Sequence, residues 1–299
     1  MSIIKNLYSI ETGNFKLDGG AMFGVVPKTI WEKTNPADDL NMINMAARSL
    51  LIETNHKLIL IDTGLGDKQS EIFFSHYYRW GEYSIETSIK KAGFKNADIT
   101  DVFFTHLHFD HCGGAIIRKN RELVPRFENA NFWINENHWR WATSPNSREK
   151  ASFLPDNILP LEKSGKLHLI ADDEKPLGFD FLTVNGHTEK MMLPVLEYKN
   201  KTLVFVSDLI PTAGHVRVPF IMGYDTRPLL TLREKASFLE KATKDKLLLF
   251  LQIWLVCLIY WHCCVFLPTY KSLYSMLLLI SHFYICLQSY LLHSRFHKL

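Results

Sequence analysis

A chain of 299 residues, 47% of them hydrophobic, is long enough for one large domain or two small ones with a proper core. Its net charge of +3 is unevenly placed: setting aside the four basic residues from Lys246 onward, where no Asp or Glu occurs, leaves 30 basic against 31 acidic side chains in residues 1–245. A near-neutral body with dispersed Lys and Arg argues against a nucleic-acid face, and a body whose one cysteine is Cys112 rules out a disulfide framework. The opening MSIIKNLYSIETGNF has neither a sustained apolar run nor a small-residue cleavage site, so the expected location is the cytoplasm.

In chain order, the glycines of Asp18–Lys28 imply a close-fitting loop, and Arg48–Glu53 and Lys57–Ile61 read as strands joined by Thr54-Asn55-His56. The second strand ends in Asp62-Thr63-Gly64-Leu65-Gly66, a glycine turn opened by an acid. Glu71–Trp80 is rich in aromatics (Phe73, Phe74, Tyr77, Tyr78, Trp80) that either pave a pocket or pack in the core, with core packing favoured. A helix is expected over Ser84–Ala92 with Ser84 as its N-cap.

Ile99–Phe104 is a short apolar strand, and where it runs out stands Thr105–Gly114, THLHFDHCGG, with His106, His108, Asp110 and His111 inside six residues. Imidazole nitrogens and carboxylate oxygens suit a borderline divalent ion such as Zn²⁺. Two histidines two apart can converge on one ion, while the adjacent Asp110 and His111 reach past it to a second. The spacing therefore predicts two metals. Cys112 is read as a small packing residue, and a helix is expected to begin at Gly113-Gly114-Ala115-Ile116-Ile117.

Further on, Asn131–Asn135 reads as a strand and Glu136–Trp141 as a helix start. Ser144–Pro160, with three prolines, reads as an excursion over the site. His138 and His168 are lone histidines assigned surface or structural roles. Phe179–Val184 is a strand ending at Asn185-Gly186-His187, and Met191–Tyr198 with Thr202–Val206 forms a hairpin ending at Ser207-Asp208. Pro211–Pro228 is irregular and carries His215, Tyr224 and Asp225. An amphipathic helix over Thr231–Thr243 and a strand from Lys246 to Phe250 follow.

The Leu17–Lys28 segment LDGGAMFGVVPK, Asp62-Thr63-Gly64 and the H-x-H-x-D-H loop together resemble the metallo-β-lactamase superfamily, and within it the branch of quorum-quenching N-acyl homoserine lactonases. The resemblance spans about residues 10–246 and implies an αβ/βα four-layer sandwich with two mixed sheets. It also implies that His106, His108 and His187 hold one zinc, that Asp110 and His111 reach the second, and that Asp208 bridges both. Asp62 would orient a metal-binding imidazole. A metal-bridging hydroxide would then open a lactone or cleave an ester, with Asp110 or Asp208 relaying the proton and Tyr224 or His215 polarising the carbonyl. The expected partner is a small ester or lactone and not a nucleic acid, with a homodimer as the expected assembly. An arylesterase or phosphotriesterase and a non-catalytic metal-binding relic stand as alternatives.

The resemblance stops where it asks for one more histidine after the last strand. The residues there are Leu249-Phe250-Leu251-Gln252-Ile253-Trp254, and beyond them no Asp, Glu, Gly, Ala or Asn occurs. Residues 1–246 are therefore read as the hydrolase domain. Residues 247–299 are read either as an out-of-frame extension, the favoured reading, or as a membrane hairpin through the uncharged runs Leu247–Leu267 and Leu273–Leu292, with His262 a poor substitute ligand.

Overall fold

A computed structural model describes residues 4–252 except Tyr83, together with the backbone of residues 258–259. The chain divides into two units, residues 1–258 and 259–299, and the first contains the strands and helices of the sandwich. The two apolar runs and His262 lie almost wholly outside the described residues, among which no helix is long and apolar enough to cross a membrane.

The N-terminal part is dominated by a long antiparallel hairpin, β1 (Ile4–Asp18) against β2 (Met42–Thr54), of which the sequence showed only Arg48–Glu53 in β2. Neither strand shows a clean polar alternation: β1 is half-buried along most of its length, and β2 is buried at nearly every position from Met45 onward. Between the two strands the chain turns through α1 (Gly19–Phe23), capped by Asp18 accepting from Ala21 N, and α2 (Lys28–Trp31).

Then come β3 (Leu58–Ile61), α3 (Glu71–Ser75), α4 (Ile85–Lys91, capped by Ser84 as expected) and β4 (Asp101–Phe103). After the metal loop, α5 (Phe109–Cys112) and a 3-10 turn at Gly113–Ala115 lead into β5 (Ile116–Lys119) and β6 (Glu122–Pro125). The helix expected from Gly113 is thus a hairpin. Two β-branched isoleucines favour the strand, and Asn120 and Arg121, both at positive φ (51° and 71°), make the tight turn. β7 (Asn131–Asn135), α6 (Glu136–Thr143), α7 (Pro155–Lys163) and β8 (Leu167–Ile170) follow, the last of them unforeseen. β9 (Asp180–Val184), β10 (Met191–Tyr198), β11 (Lys201–Phe205), α8 (Pro228–Asp245) and β12 (Leu248–Phe250) complete the unit.

The first sheet runs β1-β2-β3-β4-β7-β8, antiparallel through β3 and parallel beyond it. The second contains β12-β11-β10-β9, with β11 and β12 parallel and the rest antiparallel. Both are mixed sheets, as the sandwich requires. Their inner faces meet in one core: Phe103 of β4 packs edge-on against Phe179 at 5.3 Å between ring centres and lies 5.9 Å from Phe181 of β9, and Phe205 of β11 stacks on Phe250 of β12 at 5.1 Å. Helices cover the outside, α4 against β1 and α6 against β7. The C-terminal ends of β3, β4, β9 and β11 carry Asp62, the metal loop, His187 and Asp208.

Candidate metal centre

β4 ends at Phe103, and the chain leaves the sheet as a loop whose short helix α5 begins directly after His108. His106 Nε2 lies 3.1 Å from His108 Nδ1, and His187 Nε2 lies 3.1 Å from that same atom. Asp208 Oδ2 stands 3.2 Å from His187 Nε2 and 3.9 Å from His106 Nε2. Four ligand atoms, one from each residue, fall within 4.8 Å of one another, and all four side chains are buried. Donors bound at ~2.0–2.1 Å around a tetrahedral ion lie about 3.3 Å apart, so this set has the dimensions of a metal cage.

Next to it, His111 Nε2 is 3.4 Å from Asp208 Oδ1 and 3.7 Å from Asp110 Oδ2. Among the described residues neither His111 Nε2 nor Asp208 Oδ1 has a hydrogen-bond partner, although both are buried. An unsatisfied buried polar atom costs about 1–3 kcal/mol, and a cation between these two would satisfy both. The sequence-predicted set His106, His108, Asp110, His111, His187 and Asp208 is therefore brought together in one place, and its donor chemistry fits metal ions.

Each imidazole is fixed from behind. Asp62, at φ 56° in a region a non-glycine residue rarely occupies, aims its carboxylate at three donors: Thr105 N (2.8 Å), Thr105 Oγ1 (2.8 Å) and His111 Nδ1 (2.9 Å). Thr105 Oγ1, having donated to Asp62, accepts from His106 Nδ1 at 3.0 Å. One buried carboxylate thus orients one histidine directly and another through a hydroxyl. His187 Nδ1 donates to Asp225 Oδ1 at 2.9 Å, and His108 Nε2 faces Glu149 Oε1 at 3.5 Å. These partners leave His106 Nε2, His108 Nδ1, His111 Nε2 and His187 Nε2 as the free acceptors, the tautomers that ligation needs.

The electrostatics agree. Burial, reinforced by the neighbouring imidazoles, keeps His106 well below the usual histidine value, and burial likewise lowers His108. At His111 burial is outweighed by the carboxylates of Asp208 and Asp110, which push it well above, and at His187 the same contest with Asp208 and Asp225 ends at about 10. Asp208, despite its burial, is held well below the carboxylate range by His111 and His187. The two imidazoles beside the carboxylates, His111 and His187, thus favour positive charge, while His106 and His108 stay neutral.

His215 is placed elsewhere. Its ring stacks on Phe23 at 4.2 Å between centres, Nε2 donates to Met22 O (2.8 Å) and Nδ1 accepts from Thr212 Oγ1 (2.7 Å). Both nitrogens are committed and burial lowers it to about 3, so it is a neutral structural residue with nothing to offer a carbonyl. Tyr224 is 40% exposed, and burial of its hydroxyl with the nearby charges of Asp18 and Asp110 raises it above the ordinary phenol.

His138 is buried rather than at the surface: Nε2 accepts from Leu107 N at 2.9 Å and Nδ1 donates to Glu189 O, bracing the metal loop from below. His168 is exposed and stacks on Trp133, while Cys112 is fully buried, its Sγ donating to Leu107 O at 3.3 Å. Glu149, Thr105 and the role of Asp225 were not visible in the sequence. Asp225 adjoins Tyr224 in the irregular stretch, which is a faint signal, and Glu149 has none. A cavity of about 320 Å³ lined by Thr63, Arg79, Trp80 and Arg126 includes none of the metal ligands.

Against known proteins, the family model of the metallo-beta-lactamase superfamily matches residues 45–252. The chain belongs to that superfamily of metallo-hydrolases. It is 29% identical over 263 residues to an N-acyl homoserine lactonase of Bacillus cereus, covering 83% of this chain and 92% of that one. It is 34% identical over 211 residues to a probable metallo-hydrolase of Mycobacterium tuberculosis, covering 62% and 65%. Of solved structures, a probable metal-dependent hydrolase from Staphylococcus aureus superposes with a TM-score of 0.78 at 29% identity, covering 85% and 91% of the two chains. A dizinc quorum-quenching lactonase in complex with a product shares the fold, with a TM-score of 0.69 at 24% identity over 87% and 92%.

Proposed function

We propose that this protein is a two-zinc hydrolase that opens a lactone ring, with an N-acyl homoserine lactone as the first substrate to test. The observation that carries the reading is the convergence of His106 Nε2, His187 Nε2 and His108 Nδ1 at 3.1 Å contacts, beside the buried and unpartnered His111 Nε2 and Asp208 Oδ1. The Bacillus cereus lactonase, alike over most of both chains, supports the substrate class. His106, His108 and His187 would hold one ion, Asp110 and His111 the other, with Asp208 between them. Bound there, zinc supplies Lewis acidity and lowers the pKa of water to about 7, so no nucleophile from the protein is required.

The chain's own groups complete the chemistry. Tyr224, kept protonated by burial and by Asp18, donates its phenol proton as a hydrogen bond to the substrate's carbonyl oxygen. Asp110, near His111 and only 12% exposed, takes a proton from the attacking water and returns it to the leaving alkoxide. The packed rings of Phe73, Tyr77 and Phe109, with centroids 4.8–5.4 Å apart, make an apolar wall beside Asp110 suited to an acyl chain. In this reading residues 1–246 form the hydrolase body, which acts on a small molecule.

Metal analysis of the purified protein and a ring-opening assay with and without chelator test the proposal together. Bound zinc, turnover, and its loss on chelation with recovery on adding zinc are expected. Turnover that survives removal of the metal would end the mechanism.

A further inference from the structure

The excursion predicted to cross the site has an internal order of its own. Asn146 Oδ1 accepts from the backbone N–H groups of Arg148 (2.9 Å) and Glu149 (3.1 Å), and its Nδ2 donates to Glu149 Oε2 at 2.7 Å. This small turn presents two neighbouring side chains to two different parts of the molecule. Glu149, 3% exposed, goes inward: Trp141 Nε1 donates to its Oε2 at 2.7 Å, while its Oε1, otherwise unpartnered, faces His108 Nε2.

Arg148 stays at the surface and donates through Nη2 to the carbonyls of Gly223 and, at 3.1 Å, Asp225. Those two carbonyls flank Tyr224. The carboxylate of the same Asp225 accepts from His187 Nδ1 at 2.9 Å. The segment is tied down at its far end by Phe109 N donating to Ser152 O at 2.9 Å and by Phe153 packed on the His108 ring at 4.8 Å.

A continuous path therefore runs from His108 through Glu149 and Arg148 to Asp225 and His187, closing a ring behind two imidazoles of the first ion. Neither Arg148 nor Glu149 touches the ligand atoms themselves. The two N–H bonds of one guanidinium nitrogen, Nη2, lie in the plane of the group and so hold the two carbonyls in a fixed relation, whereas an ammonium's donors rotate freely.

We propose that Asn146–Phe153 is a positioning clasp for the His108 and His187 side of the centre, in which Glu149 sets the His108 imidazole and Arg148 sets the backbone that carries both Tyr224 and Asp225. Its second arm rests on Tyr224 acting as the hydrogen-bond donor to the substrate carbonyl; its first does not. The clasp makes metal affinity and placement of the phenol depend on one short stretch of chain that supplies no ligand.

Three readouts on the full-length protein test it. In chelator competition, Glu149→Ala should weaken zinc binding about 10–100-fold, with Glu149→Gln recovering part of the loss because its amide oxygen can still face His108 Nε2. In hydrogen–deuterium exchange of the zinc-loaded protein, Arg148→Ala should raise exchange over residues 221–227 several-fold, and Arg148→Lys should raise it less. Arg140→Ala, which removes an exposed partner of Glu136, should leave both measurements unchanged.

In turnover, Arg148→Ala should lower kcat about tenfold with little change in KM, and should cost nothing further in a Tyr224→Phe background. Wild-type zinc affinity in Glu149→Ala, or unaltered exchange over 221–227 in Arg148→Ala, would overturn the clasp. Fully additive losses for Arg148→Ala and Tyr224→Phe would overturn the second arm alone. An unchanged kcat in Tyr224→Phe would refute the tyrosine's role, and the zinc and exchange readouts would still decide the clasp.

Discussion

Asp62 shows how much one side chain can organise. Buried and left-handed in its backbone, it spends its carboxylate on Thr105 and His111 and so reaches both halves of the centre. Replacing it with Ala should reduce affinity for both ions by roughly 10–100-fold, read by competition with a chromophoric chelator, because two ligating rings lose their orientation at once. The resemblance pointed to Asp62 as an orienting group, but the threonine relay to His106 was not legible, since Thr105 opens the motif as an ordinary polar residue.

His215 carries the opposite lesson: a histidine in the right stretch, yet fully used by Met22, Thr212 and Phe23. His215 and His138, each lowered to about 3 by burial, give stability a definite pH dependence. Between about 3 and 6.5 the unfolded chain binds a proton at each position that the folded chain does not, so unfolding gains as pH falls through that window. Each contributes on the order of 1 kcal/mol per pH unit. The urea midpoint should fall steadily as pH drops below 6.5, and His215→Gln should make that fall shallower.

Among the elements, the turn after β3 and the turn after α5 are locked backbone to backbone. Thr63 N donates to His111 O at 2.6 Å and Gly114 N to Gly64 O at 3.0 Å, while Lys68 Nζ holds Gly113 O at 2.5 Å. There is no room for a side chain in this seam: a Cβ on Gly113 would lie 2.1 Å from Leu65 O, and one on Gly66, whose φ is +72°, 2.4 Å from Gly113 O. Gly113→Ala must push the metal loop away from β3. It should destabilise the protein by about 2–4 kcal/mol and lower its zinc content, measured by urea denaturation and metal analysis of the same preparation. Gly66 was visible in sequence as part of a glycine turn, and Gly113 was read as the start of a helix. That they face another backbone was not visible, because the contact joins segments almost fifty residues apart.

For the molecule as a whole, two sheets converge so that four strand ends contribute to one rim. The donor sets that the proposed two-zinc reading assigns to its two ions are unequal. His106, His108, His187 and Asp208 surround one position, whereas among the described residues Asp110, His111 and Asp208 serve the other, and residues 246–252 supply no histidine. Titration of metal-free protein should accordingly show one zinc bound at least about tenfold more tightly than the second. Equal affinities would show that another donor completes the weaker position.

What the sequence determined by itself was whatever is encoded locally. His106, His108, Asp110 and His111 fall within six residues at the end of a strand, a spacing whose donor chemistry suits metal ions. His187 and Asp208 were read as ligands through the family resemblance, at the strand ends where it asks for them. Only the tertiary structure decided which atom of each ring faces the ions, that Glu149 and Asp225 stand behind two of those rings, that His215 is packing and that Ile116–Pro125 is a hairpin. These outcomes depend on contacts between distant segments inside a dry interior. There the cost of leaving a polar atom unpaired, rather than any local preference, selects the partner.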